Sequence, residues 1–222
     1  MEELESLALN EPYTLPQVEN IKDIPTARTS LIDVLKSRRS VRKFADKPLT
    51  VNHISLLLWS GYGVTQRRSS SGGYNTFFKK TVPSAGATYP LKLYLVSSRG
   101  VFEYVPEEHK IIKRVGSRNK GEDKRRELAE AALWQNFIAE APVSIVIVAI
   151  YERTTTHYGK RGIQYVHIEV GHSAQNIHLM CEMLGLGSVA VGAFVDDAVS
   201  KVLALPANEV PLYIIPIGYP GR

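Results

Sequence analysis

The spacing of apolar positions changes several times along the chain, and each change predicts an element. After Thr29 or Ser30, either able to cap a helix, Leu31, Ile32, Val34 and Leu35 recur at helical spacing as far as the basic run Lys36-Ser37-Arg38-Arg39. Pro48-Leu49-Thr50 opens a second helix with Val51, Ile54, Leu57 and Leu58 on one face, closed by Gly61 and Gly63. Residues 64–82 are rich in Ser, Gly and basic side chains and show no apolar period, which predicts a long loop. Leu91, Leu93 and Leu95 alternate with Lys92 and Tyr94 as in a half-buried strand. Val101–Val105 and Lys110–Val115 read as a hairpin across Pro106-Glu107-Glu108. Glu122 to Ala139 predicts a helix, and the β-branched run Val143–Ile150 a central strand.

The longest helix is expected over Gly162 to Leu184, with Val166, Val170, Ala174, Ile177, Cys181 and Leu184 as its core stripe. Ser188–Val191 then reads as a short strand, Asp196 as the cap of a helix through Leu203, and Pro211–Ile217 as the last strand. Helices and strands mix without a regular βαβ alternation, which favours an α+β fold over a doubly wound sheet. Residues 1–28, polar and broken by Pro12, Pro16 and Pro25, read as an extended N-terminal arm. Residues 29–222 contain no internal linker and read as one domain.

Composition narrows the class. Of 222 residues, 44% are hydrophobic and 22% charged, which excludes wholesale disorder and supports a core that needs no staples. Cys181 is the single cysteine, so neither an intrachain disulfide nor a Cys-based zinc cluster is available. Glu2, Glu3 and Glu5 stand where a signal peptide carries basic residues, and the apolar stretch Val143–Tyr151 is far short of the roughly 20 residues that cross a bilayer. A soluble, cytoplasmic protein with no membrane partner is the expectation. The net charge of +5 suits an anionic small ligand as well as nucleic acid. The basic knots are scattered, however, and no recognition motif accompanies them, which argues against nucleic acid.

Several local patterns bear on chemistry. Gly185-Leu186-Gly187-Ser188-Val189-Ala190 matches G-x-G-x-x-A, but a helix precedes it and a strand follows, the reverse of a dinucleotide fingerprint, so its glycines read as helix caps. His167, His172 and His178 are not at helix-face spacing, and Glu169-x-x-His172 lacks the second copy that a di-iron site requires, so no metal site is expected. Tyr165, Glu169, His172 and Asn176 share a face, either a solvated stripe or the lining of a cofactor or subunit contact. Arg38-Arg39-Ser40-Val41-Arg42 puts three guanidinium groups and a hydroxyl within one short segment. It suits a phosphate and equally suits a basic helix C-terminus complementing the macrodipole. Pro83-Ser84-Ala85-Gly86-Ala87-Thr88 and Gly187–Phe194 carry small residues that let backbone approach a flat ligand. Together these patterns are compatible with a planar, phosphate-bearing cofactor such as a flavin mononucleotide.

In order along the chain, these segments resemble the nitroreductase superfamily of flavin enzymes. Arg38-Arg39-Ser40-Val41-Arg42-Lys43-Phe44 resembles its R-x-S-x-R-x-F signature. Leu57 to Thr65, the segment from Pro83 to Val96, Gln135 ahead of Ala141-Pro142, and Tyr158-Gly159-Lys160-Arg161-Gly162 leading to Glu169–Asn176 are similar to the SagB-type dehydrogenase branch. Gly185-Leu186-Gly187 and Ile217-Gly218-Tyr219-Pro220 complete the resemblance, which runs from about residue 31 to 220.

The resemblance implies a nitroreductase-like α+β fold, a central mostly antiparallel sheet flanked by helices, with FMN at a homodimer interface. Arg38, Arg39, Ser40 and Arg42 would bind the phosphate and the pyrimidine edge, with Arg222 as a further basic phosphate ligand. Pro83, Ser84, Ala85 and Gly86 would come from the partner subunit beside the isoalloxazine. Ala190, Val191, Gly192 and Ala193 would lie near N5, and Gln135 would approach the ring. The implied activity is ping-pong hydride transfer from NAD(P)H to a nitroaromatic, quinone or similar acceptor. Branch members that oxidise peptide azolines are associated with a Lys-Tyr pair, where this chain has His157-Tyr158, a pair able to act as base. Oxidation of a peptide azoline or a small metabolite is therefore the alternative, and a non-catalytic nucleic-acid-binding protein the remaining contrast.

Overall fold

A computed structural model describes residue 3 and residues 12–21, 30–69, 76–115 and 122–221. Among these the strands are β1 (Tyr13–Thr14), β2 (Val64–Ser69), β3 (Thr76–Lys80), β4 (Leu91–Ser97), β5 (Gly100–Val105), β6 (Lys110–Val115), β7 (Val143–Ala149), β8 (Gly187–Ser188) and β9 (Val210–Gly218). The helices are α1 (Leu31–Ser37), α2 (Val51–Tyr62), α3 (Arg125–Ala131), α4 (Phe137–Glu140), α5 (Glu152–Tyr158), α6 (Arg161–Met183) and α7 (Asp196–Leu203).

The β-branched run of β7 suits its interior place, between β4 and β9, in a seven-stranded sheet of order β1-β6-β5-β4-β7-β9-β8, in which every strand pair is antiparallel. Alternate residues of β7 point to opposite faces, and both faces are covered. Ile145 and Ile147 join a core with Ile54, Leu57 and Leu58 of α2 and Val166, Val170 and Ile177 of α6. Val146 and Val148 join a second core with Leu128 of α3, Ile138 of α4 and Val199 and Leu203 of α7. Burial on both faces also makes β4 more than the half-buried strand its alternation predicts. The α6 stripe is as expected: Val166, Val170, Ala174, Ile177, Cys181 and Leu184 are all buried.

Other expectations are corrected. Residues 64–82 do not form one loop: β2 and β3 pair antiparallel from Val64↔Lys80 to Ser69↔Thr76. This ribbon lies outside the main sheet, so no core imposes an apolar period on it. The helix expected over Glu122 to Ala139 is broken between α3 and α4, where Leu133 and Trp134 have φ of 58° and 59°. Partners from outside the helix take its last carbonyls: Gln135 Nε2 donates to Ala132 O at 2.9 Å and Val195 N to Ala131 O at 2.9 Å. The polar helix α5 has Thr154 as its one buried residue, so no apolar period announces it. Asp196 is the first residue of α7, not its cap, and Val195 stands at the N-cap.

Of the expected arm, only residue 3 and residues 12–21 are described: β1 extends the sheet beside β6, and Leu15 is buried. Helix α1 buries only Val34, while Leu31, Ile32 and Leu35 are 64%, 63% and 54% exposed. Among the described residues no helix is long and apolar enough to cross a membrane.

Candidate cofactor site

The arginine-rich segment is held in place from both sides. Ser30 caps α1 by accepting from Asp33 N at 3.1 Å, and the chain leaves the helix at Arg38. Ser40 then forms a parallel bridge with Ser188, and Val41 N donates to Ser188 O at 3.0 Å. Gly187 permits this approach, since a Cβ there would stand 2.7 Å from the Val41 side chain. Further on, Ala45 N donates to Tyr219 O and Gly221 N to Lys43 O, both at 2.8 Å, so residues 43–45 run beside the end of β9. Arg39, Ser40 and Arg42 are exposed. Among the described residues, no carboxylate pairs with Arg38, Arg39 or Arg42. Three unneutralised guanidinium groups beside a hydroxyl are the donor set that a phosphate matches. Under them lies buried His178, its Nδ1 2.8 Å from Ser188 Oγ. Burial, and then the Arg38 charge, push its pKa down to about 4, so the ring is neutral at ordinary pH.

The segment after β8 supplies bare backbone. Val191 and Ile214 exchange N–H···O bonds of 2.8 and 3.0 Å, which leaves Gly192 and Ala193 exposed beyond the sheet edge. Gln135 Nε2 donates to Ala193 O at 3.0 Å. The arginine segment, Ala190 to Ala193 and Gln135 are therefore strung along one edge of the molecule by way of β8.

A second group forms around Pro83 to Gly86. Ser84 Oγ accepts from Tyr89 N at 2.9 Å and its hydroxyl donates to Glu169 of α6. The Tyr62 hydroxyl also donates to Glu169, at 2.7 Å, and accepts from Leu91 N at 3.1 Å. Burial raises the Glu169 pKa above the usual carboxylate value, and the two hydroxyl donors and Lys80 temper the rise. Lys80 lies 4.3 Å above the Tyr62 ring and pairs with Glu107 at 3.1 Å. Gly86 has φ of 58°, and a Cβ there would meet the Tyr158 hydroxyl at 2.6 Å. Tyr158 in turn packs edge-on against Tyr165 at 5.1 Å, and His157 is exposed beside it. A cavity of about 230 Å³ opens here, lined by Pro83, Ser84, Ala85, Tyr165, Ile168, Glu169 and His172. The polar stripe of α6 is therefore not a plain solvated face. Its fourth member, Asn176, donates to Ser60 O and Thr81 O, both at 3.2 Å.

The two groups do not meet within one chain. Glu169 contacts Ser84, whereas Glu182, thirteen residues further along α6, accepts from Ser37 at 2.9 Å beside the arginine segment. That interval is a rise of about 20 Å. Arg222 lies outside the described residues. Tyr62 and Lys80 were not singled out by sequence reasoning. The available signal was the position of Glu169 at the rim of the core stripe, three residues after Val166 and next to Val170, where a carboxylate needs internal donors.

Residues 35–219 match the family model described as the Nitroreductase family, and the chain belongs to that family and is an oxidoreductase. A Methanocaldococcus jannaschii protein that bears the name nitroreductase is 46% identical over 210 residues, covering 92% of this chain and 94% of its own. A Ralstonia eutropha crystal structure of the same name superimposes with a TM-score of 0.76 at 26% identity, over 96% of this chain and 90% of that one. The NADPH:FMN oxidoreductase of Vibrio harveyi, solved with NAD+, shares the fold with a TM-score of 0.61 at 22% identity, over 86% and 69% of the two chains.

Proposed function

We propose that two copies of this chain form a homodimer that binds FMN and transfers hydride from NAD(P)H to a nitroaromatic, quinone or similar acceptor by a ping-pong route. Residues 29–222 act as its one domain, and the cytoplasm is its setting. The observation that carries this reading is the set of guanidinium groups on Arg38, Arg39 and Arg42, which pair with no carboxylate among the described residues and are tied through the Ser40–Ser188 bridge to the strand that leads to the exposed Gly192–Ala193 backbone. Bound FMN supplies a planar ring that accepts and returns hydride. The arginines and Ser40, joined by Arg222, hold its phosphate and pyrimidine edge, while Ala190 to Ala193 and Gln135 orient the ring. Pro83, Ser84, Ala85 and Gly86 reach the same ring from the second copy, which fits their separation from the arginines within one chain. The Vibrio protein's name, with its NADPH and FMN, supports the choice of donor and cofactor.

The test is an absorption spectrum of the purified protein, followed by heat release and chromatography of the chromophore. The expected result is yellow protein releasing FMN at close to one per subunit, with Arg38→Ala and Arg42→Ala each weakening FMN binding about ten- to a hundredfold, the loss expected for a charge-assisted hydrogen bond. Colourless protein that fails to take up added FMN would overturn the reading.

One observation favours a second reading, a SagB-type dehydrogenase of a peptide azoline or small metabolite: the Tyr158 hydroxyl stands over Gly86, with His157 beside it. That chemistry needs a base for a carbon-bound proton, which His157 or Tyr158 supplies. Loss of azoline turnover in Tyr158→Phe and His157→Gln with FMN retained would select it; unchanged turnover would dismiss it.

A further inference from the structure

We propose that Glu169 is the acid that gives the acceptor its proton, with the Ser84 hydroxyl as the link between its carboxyl and the 230 Å³ cavity. This rests on the reading of Pro83–Gly86 as the flavin-facing turn of the second copy, and it assigns that turn a role beyond close backbone approach. Among the residues lining the cavity, Glu169 is the one with a carboxyl group, and the residue is only 3% exposed. Two hydroxyls hold it, Tyr62 at 2.7 Å from α2 and Ser84 from the turn. The nearby cation, Lys80 of β3, is engaged by Glu107 at 3.1 Å instead of forming an ion pair with Glu169. The other titratable groups around it are Tyr165 and His172 on its own helix, which line the cavity, and Arg153 of α5, whose charge acts on Tyr62 and Lys80. A desolvated carboxyl without a salt bridge keeps its proton to higher pH than an exposed one, which is the direction that favours its use as an acid.

The step balances. Converting a quinone to a quinol takes two electrons and two protons. Hydride originating in NAD(P)H carries both electrons and one proton to the acceptor, leaving NAD(P)+. The second proton arrives as an O–H bond forms on the acceptor oxygen and the Glu169 O–H bond breaks. Ser84 passes it by accepting from Glu169 while donating to the occupant of the cavity, which a hydroxyl can do with its Oγ still bonded to Tyr89 N. Water at the exposed His172 rim restores the proton to Glu169.

The experiment compares two acceptors on the flavin-loaded protein: menadione, which takes a proton with its electrons, and ferricyanide, which takes electrons alone. In Glu169→Gln the ratio of menadione to ferricyanide rates is expected to fall by at least about a hundredfold, the lower end of the range for a general acid. In the unmodified protein that ratio declines as pH rises through the Glu169 pKa; in Glu169→Gln it is flat. Tyr62→Phe removes a donor to the carboxylate and moves the decline to higher pH, a shift that a purely structural role does not produce. Independently of activity, the flavin-free protein should show the infrared C=O band of a protonated carboxyl above the usual carboxylate range, absent in Glu169→Gln. An unchanged ratio in Glu169→Gln, a parallel fall of both rates with no pH shift in Tyr62→Phe, or a missing band would each overturn the assignment. If the unmodified protein holds no flavin, the flavin reading fails and takes this one with it; if it holds flavin and the ratio does not move, only the assignment to Glu169 fails.

Discussion

Gly86 and His178 show how single residues carry constraints that reach the candidate site. Gly86 has φ of 58° with the Tyr158 hydroxyl where a methyl group would stand, so Gly86→Ala is strained twice. The left-handed backbone alone costs about 1–2 kcal/mol, and urea unfolding should show at least that loss. Adding Tyr158→Phe removes the oxygen in the way and should restore the excess. His178 sets a pH dependence. Its folded pKa of about 4 lies below its ordinary value of 6.5, so between those values the unfolded chain binds the extra proton. Stability from this residue is therefore complete above pH 6.5 and drains away as pH falls toward 4, by up to on the order of 3 kcal/mol. Denaturant midpoints measured across that window should fall less steeply in His178→Asn. The arginine cluster could be read from residue types alone. Glu169 could not, because its role depends on Tyr62, 107 positions earlier in the chain.

At the scale of elements, legibility followed burial. Helices α2 and α6 bury one long apolar face, so the sequence had to repeat hydrophobic residues at helical spacing and the elements were visible. Helix α2 also carries a capping box in which Thr50 accepts from His53 N and His53 Nδ1 accepts from Thr50 N. Thr50→Ala should lower stability by about 1 kcal/mol in denaturant melts, with little effect on the arginine segment. The β2–β3 ribbon stands outside the main sheet and α5 buries only Thr154, so no period marks them. The break between α3 and α4 was hidden for a different reason. Residues from Leu128 to Leu133 are individually good helix formers, and the helix ends where Gln135 and Val195 take its last carbonyls.

At the scale of the molecule, the exposed apolar residues and the divided site point the same way. Leu31, Ile32 and Leu35 of α1 stand in water, next to a groove of about 420 Å³ lined by Trp59, Leu179, Met180 and Met183 among others. An apolar face of this kind marks an interaction surface. If it is the face that closes the proposed dimer, Leu35→Glu should convert the protein to a monomer in light scattering and release its flavin, since each site then lacks its second half. A dimer with full flavin content in that variant would place the interface elsewhere.

By itself the sequence determined the elements that bury a regular face, the α+β class, the family resemblance, and the short segments whose residue types suit a phosphate and a flat ring. These are local properties, fixed by period and composition. Tertiary structure alone decided that Glu169, which meets Ser84, and Glu182, which meets Ser37, anchor the two groups at points about 20 Å apart along α6, and that Glu169 is buried with the Tyr62 hydroxyl upon it. Such contacts join positions far apart in the chain, and neither spacing nor charge records them until packing brings the elements together.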